Sequence, residues 1–484
     1  MKYDTPENNG ISTEYIKEYI NKLENAGLAT HSVIIAHGEN IVFEKYWKPF
    51  DRDFCHRLYS VTKSLVSLAV GFCEQEGLIN LDDTVEKYFE DELKNQKDEN
   101  MRNQTIRDML MMCTAKLERS WFQARCNDRV RFYFENDLEN SRPSGTIFSY
   151  DSTGSFVLGA LVERVSGENL TDFLQKRLFD ALGITTAYCL HCPGGHSWGD
   201  SGFLMRPVDL LKIARFVMNG GKWNGVQILN EDYITKATAK QVESTNFGER
   251  EIESYGYGYQ IWRTRENSFF FNGMGQQLAV CMPEKDMILV YTGDNQGYTN
   301  PRSLIMDGFF DIVYKNATNH KLPPYVGETL PDFELFSVKG KKSTEYTGIV
   351  NGKKYILDKN PMDITEFELS LNDDEGEFKY TNKTGEKCIK FGICKNVFSE
   401  FPEEGYSDDI GTVSAPGHKY KCAASAAWCQ ENQLFIRVQI IDKYFGNLSI
   451  ALGFKGEQVG VRMFKNAEDF LNEYNGYANG RTVK

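Results

Sequence analysis

The sequence predicts an α/β (α+β) domain, an antiparallel sheet flanked by helices with a mainly helical insertion, joined to a C-terminal all-β barrel or sandwich. Three observations predict it. A hairpin pattern near the start and a group of strand patterns around 255–292 bracket a long helical middle. At "NHKLPPYVGETLPDFE" three prolines fall within nine residues and the character of the chain changes. Beyond that point the apolar runs are short and separated by recurrent turn signals. With 484 residues the chain exceeds what one compact core organises, so the expected division is 1–320, a linker at 321–334, and 335–484.

Residues 11–27 place Ile11, Tyr15, Ile16, Tyr19, Ile20 and Leu23 at helical spacing, with Gly27 as a stop. "HSVIIAHGENIVFEKYW" follows as two β-branched runs around an "HGEN" turn, a hairpin. A helix opens near Ser60, and further helices fit 104–113, 153–166 with Gly167 as a stop, 170–182, and 207–219 before "NGG". Strands fit 255–263, 268–273, 277–282 and 287–292, the last two joined by "PEKD", and a helix fits 301–316. Strands from both ends of this region would share one sheet. After the linker, "EYTGIV", "KKYILD", "FELSLN", "EFKYTN", "LFIRVQII", "LSIALGF" and "QVGVRMF" all read as short strands.

Composition removes several classes of function. The formal net charge of −13, with no Lys/Arg-rich block, opposes binding to a phosphate backbone, so no nucleic-acid partner is expected. The most apolar run, "SLVSLAVGFC", is too short to span a bilayer, and "MKYDTPENNG" has no apolar core of a secretory signal. Eleven cysteines, an odd number scattered over both halves, read as reduced thiols in a cytoplasmic protein.

Chemistry concentrates at "HRLYSVTKSLVSLAVGF". Ser60 and Lys63 are three apart at the head of an apolar helix, so their side chains share a face. A serine hydroxyl is a poor nucleophile until a base takes its proton, and a desolvated lysine amine is one such base. The amides at a helix N-terminus can also hold an oxyanion. The same four residues equally describe a surface lysine behind a serine in a cap region. This S-x-x-K is the single occurrence in the chain, and its surroundings carry the decision.

"LYSVTKSLVSLAVGFCEQEGLINLDDTVEKYF" resembles the active-serine helix of the penicillin-recognising serine hydrolases: class C β-lactamases, D-aminopeptidases, related esterases and aminohexanoate-oligomer hydrolases. The resemblance continues in order through "QTIRDMLMMCTAKL", "RPSGTIFSYDSTGSFVLGALVERVSGENLTDFLQKRLFDALGI", "SGFLMRPVDLLKIARFVMNGGKWNGVQIL", "YGYGYQIW" and "PEKDMILVYTGD", covering about residues 12–316. It implies Ser60 as nucleophile, Lys63 as its partner, and Tyr150 of "YDS" as general base or proton relay, with Ser152 standing where the family has Asn. A tyrosine does this work where a neighbouring ammonium favours its phenolate, and Lys63 is the candidate. The third motif falls at "FFFNGMGQQLAV", giving Gly273, Met274 and Gly275 without the usual cation. By analogy the Gln276 amide joins that of Ser60 in an oxyanion hole. The missing cation argues against an efficient β-lactamase or carboxypeptidase and for a neutral ester or amide, unless Arg125, Arg129, Arg131 or Arg263 replaces it. Trp121, Phe122, Tyr133 and Phe134 are candidates for an apolar pocket wall, or equally for a packed helix.

The expected activity is therefore a cofactor-independent serine hydrolase acting on a small-molecule ester, amide or lactam through an acyl-enzyme. A non-turnover penicillin-binding or sensor protein on the same scaffold is the alternative from another class; a β-lactamase or D-amino-acid peptidase is the alternative among enzymes. "GDSG" at 199–202 echoes chymotrypsin-like proteases, yet Ser201 falls in the matching block as a turn residue. Cys189, His191, Cys192 and His196 lack two separated ligand pairs, so no metal is expected. His56 is read as structural.

Overall fold

The structure is a computed structural model of the full chain; it describes all residues except 116–126, 136–140, 246–252, 405–418, 468–470 and 484. One compact unit holds Met1–Glu334 and a second begins at Leu335.

In the first unit, β1 (Thr30–His37) and β2 (Asn40–Lys48) form the early hairpin, and β3 (Phe269–Gly273), β4 (Gln277–Met282) and β5 (Met287–Gly293) the late strands. They join as one antiparallel sheet in the order β2-β1-β5-β4-β3, with Leu289 opposite Ile35 where the two ends of the chain meet. The run "MILVYTG" is buried along its whole length, as a strand covered on both faces must be. One face packs on α1 (Thr13–Asn25) and α5 (Pro301–Phe309): Tyr19, Leu23 and Phe309 share a core with Val33, Val280 and Tyr291. The other face receives α4 (Pro207–Met218).

The helical insertion is built on α2 (Val61–Gln75) and α3 (Ser152–Ser166), which pack on each other. In α2 every residue from Val61 to Cys73 is buried, the polar Thr62, Lys63, Ser64 and Ser67 included, so the helix is enclosed on all sides. The stretch at 170–182 is helical with a π turn at Gln175–Phe179, and the stretch at 255–263 is extended only at Trp262–Arg263. Left-handed backbone at Gly256 (φ 105°) and Gln260 (φ 57°) breaks the rest of that expected strand.

The segment 321–334 is part of the first unit. Leu322 N donates to Glu7 O, Lys17 Nζ donates to Tyr325 Oη (2.7 Å), and Phe333–Glu334 pairs in parallel with β2, Phe333 stacking on Trp47.

The second unit is a barrel of nine strands, β6 (Lys354–Leu357), β7 (Glu366–Leu371), β8 (Glu375–Asn382), β9 (Gly385–Ile393), β10 (Lys421–Gln430), β11 (Gln433–Ile441), β12 (Phe445–Lys455), β13 (Gln458–Ala467) and β14 (Gly476–Thr482). It closes where β9 and β10 pair in parallel at Gly392–Ser425 and Ile393–Ala426. In β7 and β8 buried residues alternate with more exposed ones, filling the interior with Phe367, Leu369, Phe378 and Tyr380. "EYTGIV", expected as a strand, is instead the helix Glu345–Val350. Thr344 caps it, its Oγ1 accepting from Tyr346 N at 3.2 Å.

Candidate active site

The head of α2 is set by a strained turn. Tyr59 adopts φ 47°, the left-handed region that a bulky side chain enters only when its surroundings enforce it. Here the buried Arg57 guanidinium lies 4.4 Å over the Tyr59 ring and donates from Nε to Ser201 O at 3.1 Å. His56–Arg57 pairs with the strand Phe203–Met205, and Phe203 N donates to Thr62 Oγ1 at 3.0 Å. Ser60 then occupies the N-cap of α2, half-buried.

Lys63 is 1% exposed, and its Nζ lies 2.9 Å from Ser60 Oγ and 2.8 Å from the main-chain oxygen of Asp200. The carbonyl anchors the amine and leaves it beside the hydroxyl. As an ammonium Lys63 donates to Ser60; as a neutral amine it accepts the hydroxyl proton along the same line. Asp200 reaches this point because Gly199 abuts Gly159 of α3, where a Cβ on either glycine would come within about 3.2 Å of the other's Cα.

Tyr150 immediately precedes α3. Its ring centroid is 5.1 Å from Lys63 Nζ, and it stacks at 16° and 5.9 Å on Trp262. Asp151 caps α3: its Oδ1 accepts from Thr153 N and Gly154 N, both at 3.0 Å, and its Oδ2 accepts from Thr114 Oγ1 at 2.8 Å. Ser152 is the first helical residue, buried. Ser60, Lys63 and Tyr150, separated by up to 90 positions, thus meet around one amine.

The third-motif strand arrives at the same place. A Cβ on Gly273 would lie 2.2 Å from Leu58 O, so only glycine lets β3 lie this close to the segment before Ser60. Gly275 has φ 75°, and an added Cβ there would meet Gly293 O at 2.8 Å. The Gln276 amide, expected in the oxyanion hole, is engaged within its own turn, donating to Gly273 O at 3.1 Å. For the Ser60 amide no main-chain bond is found among the described residues.

The other expected positions divide. Trp121, Phe122 and Arg125 lie outside the described residues. Tyr133 and Phe134 are fully buried, Tyr133 Oη donates to Gln104 Oε1 at 3.2 Å, and the Phe134 ring packs against Phe89. Burial and the nearby Asp151 carboxylate hold the Tyr133 hydroxyl well above its ordinary pKa. Arg129 stacks over Trp198, Arg131 pairs with Asp128 and Glu135, and Arg263 donates to Thr238 O and Asn267 Oδ1. Each of these three arginines is engaged by the partners named, and Arg263 stands opposite Phe269 on the strand paired with β3. Ser201 Oγ sits beside Arg57 and Asp200. His196 Nδ1 meets Glu163 Oε2 at 2.7 Å, Cys189 Sγ donates to Trp198 O, and no group of three or more metal-type ligands occurs among the described residues. His56 lies between Phe54 O and Thr292 Oγ1, its pKa pushed down to about 3 by burial.

Two contributors were not singled out from sequence. The Asp200 carbonyl is a backbone atom, and no side-chain motif marks it. Gln260 sits in the "YGYGYQIW" block, where no spacing or motif marks a single glutamine.

Comparison with known proteins bears on the family and the fold. The chain is 24% identical over 226 residues to the 6-aminohexanoate-dimer hydrolase of Paenarthrobacter ureafaciens, a match spanning 43% of this chain and 57% of that enzyme. Among solved structures, EstCE1, described as a hydrolase with promiscuous acyltransferase activity, superposes with a TM-score of 0.52 at 15% identity over 61% of this chain and 98% of its own. The octameric penicillin-binding protein homologue from Pyrococcus abyssi superposes with a TM-score of 0.52 at 16% identity, covering 97% of this chain and 99% of its own, so the likeness of fold extends through the barrel. A family model described as Beta-lactamase matches residues 15–303, and the chain belongs to that family of serine-hydrolase-like proteins.

Proposed function

We propose that the protein is a serine hydrolase that cleaves a small-molecule ester or amide through an acyl-enzyme on Ser60. The observation that carries the reading is the buried Lys63 amine, 2.9 Å from Ser60 Oγ and facing the Tyr150 ring. Ser60 Oγ attacks the substrate carbonyl carbon while its proton passes to Lys63 or Tyr150. The oxyanion is held by the Ser60 amide, joined by the Gln276 amide once it exchanges Gly273 O for the substrate oxygen. Collapse expels the alcohol or amine, which takes a proton through Tyr150, and water then attacks the acyl carbonyl to restore Ser60.

A third motif of Gly273, Met274 and Gly275 supplies no cation for a substrate carboxylate, and that supports a neutral substrate over a β-lactam or a peptide C-terminus. The ten cysteines among the described residues are free thiols, which supports a reducing, cytoplasmic setting, and no helix among the described residues is long and apolar enough to cross a membrane.

Incubation with a fluorophosphonate tests the reading by intact mass. One adduct per chain on the wild type and none on Ser60→Ala is expected; equal behaviour of the two would remove Ser60 as nucleophile. A stable adduct from p-nitrophenyl esters without continued product release would instead mark a protein that acylates and does not turn over.

A further inference from the structure

The site is assembled from two elements, the Ser60–Lys63 pair on α2 and Tyr150 at the head of α3, and one buried residue outside it ties those elements together. Gln260 is 2% exposed. Its main-chain oxygen accepts from Ser64 Oγ at 2.7 Å, and Ser64 follows Lys63 in α2. Its Oε1 accepts from Ser155 Oγ at 2.6 Å, in the first turns of α3 just after Tyr150. Its Nε2 donates to Met109 O at 2.9 Å and Leu110 O at 3.0 Å, and its main-chain N–H donates to Leu110 O at 3.0 Å. The side-chain amide thus uses both its acceptor and its donor, with neither end facing solvent. The backbone at Gln260 is left-handed, φ 57°. Glycine would adopt that conformation without strain, yet it would carry no amide to bridge the helices. Two positions on, Trp262 stacks on Tyr150.

We infer that Gln260 is a positioning residue that fixes the Ser60–Lys63 pair on α2 against Tyr150 at the head of α3. It touches no reacting atom. It acts through Ser64, which follows Lys63, through Ser155, about one helical turn beyond Tyr150, and through the helix Ile106–Leu110, which packs on α3. Displacement of aligned reacting groups by about 1 Å costs on the order of 100-fold in rate. This inference rests on the proposed chemistry at Ser60.

The test compares Gln260→Met, which keeps the length and removes the amide bonds, with Ser155→Ala, which removes one of them. The readouts are the fluorophosphonate labelling rate at Ser60 per folded chain, the kcat and KM for a p-nitrophenyl ester, and the melting midpoint. A labelling rate and kcat lowered about 10- to 100-fold in Gln260→Met, and less in Ser155→Ala, with KM within about twofold, is expected. A purely structural role would lower the midpoint and leave the labelling rate of the folded fraction at the wild-type value; that result overturns the inference. If Gln260→Met does not fold, Ser155→Ala decides by the same criterion. Absence of labelling on the wild type would be a failure of the proposed chemistry itself, and the positioning role would fall with it. Labelling of the wild type with unchanged variants would remove the positioning role alone.

Discussion

Replacing Asp151 by Ala removes the cap that holds Tyr150 at the head of α3. The carboxylate accepts from Thr153 N, Gly154 N, Thr153 Oγ1 and Thr114 Oγ1, and it is 1% exposed. Loss of an N-cap side chain costs about 0.5–2 kcal/mol. Leaving the buried Thr114 hydroxyl without its acceptor adds about 1–3 kcal/mol. The two together come to about 1.5–5 kcal/mol. A unit the size of Met1–Glu334 unfolds with an entropy of roughly 0.7 kcal/mol/K, so the midpoint should fall by about 2–7 °C. Calorimetry on the full chain measures it, the transition of the first unit being the one at which fluorophosphonate labelling is lost. Asp151→Asn keeps an oxygen acceptor for the helix amides and should lose less than half as much. A midpoint for Asp151→Ala within about 1 °C of wild type would refute the cap and the energies drawn from it. A larger fall in Asn than in Ala would refute the hydrogen-bond argument specifically.

Other outcomes follow from the same geometry. Lys63→Met keeps the volume of a buried stem and removes the amine; labelling of Ser60 should slow about 100- to 10,000-fold while the protein remains folded, measured by stopped-flow labelling and circular dichroism. An unchanged rate would return Lys63 to an ordinary helix residue. His56 contributes to the pH dependence of stability. Burial holds its pKa near 3, below the ordinary 6.5, and burial moves the neighbouring His31 in the same direction. Above pH 6.5 both states leave His56 neutral and its contribution is complete. Below that the unfolded chain takes a proton the folded one refuses, and stability falls by about 1.4 kcal/mol per pH unit towards pH 3. His56→Gln should therefore flatten the acid side of a urea-midpoint profile between about pH 6 and 4 relative to wild type; parallel profiles would contradict this.

Much of this organisation is legible in the sequence where one physical cause dominates. The β-branched runs of β1 and β5 are buried on both faces, so composition alone marks them. Ser60 and Lys63 are legible because helical spacing fixes their contact locally. Tyr150 needed the resemblance, since spacing says nothing about a residue 90 positions away. "EYTGIV" misleads because its β-branched residues suit a strand, while the Thr344 cap and its own turn select a helix. The barrel strand "KCAASAAWCQ" was not read as a strand. Its alanines favour helices, and its near-continuous burial hides the alternation that betrays β7 and β8. The Asp200 carbonyl and Gln260 are illegible for a different reason: what matters is a main-chain oxygen in one case and a left-handed backbone in the other, and neither is written in residue type.

The central claim is that Ser60 carries a covalent acyl group during turnover. Its most direct measurement is a rapid-quench experiment with a p-nitrophenyl ester, followed by peptide mapping of the quenched chain. A burst of p-nitrophenol approaching one equivalent per chain is expected, with the acyl mass on the peptide containing Ser60 and its loss in Ser60→Ala. Steady release of product with no acyl group on that peptide at any time, or a burst that survives Ser60→Ala, would contradict it.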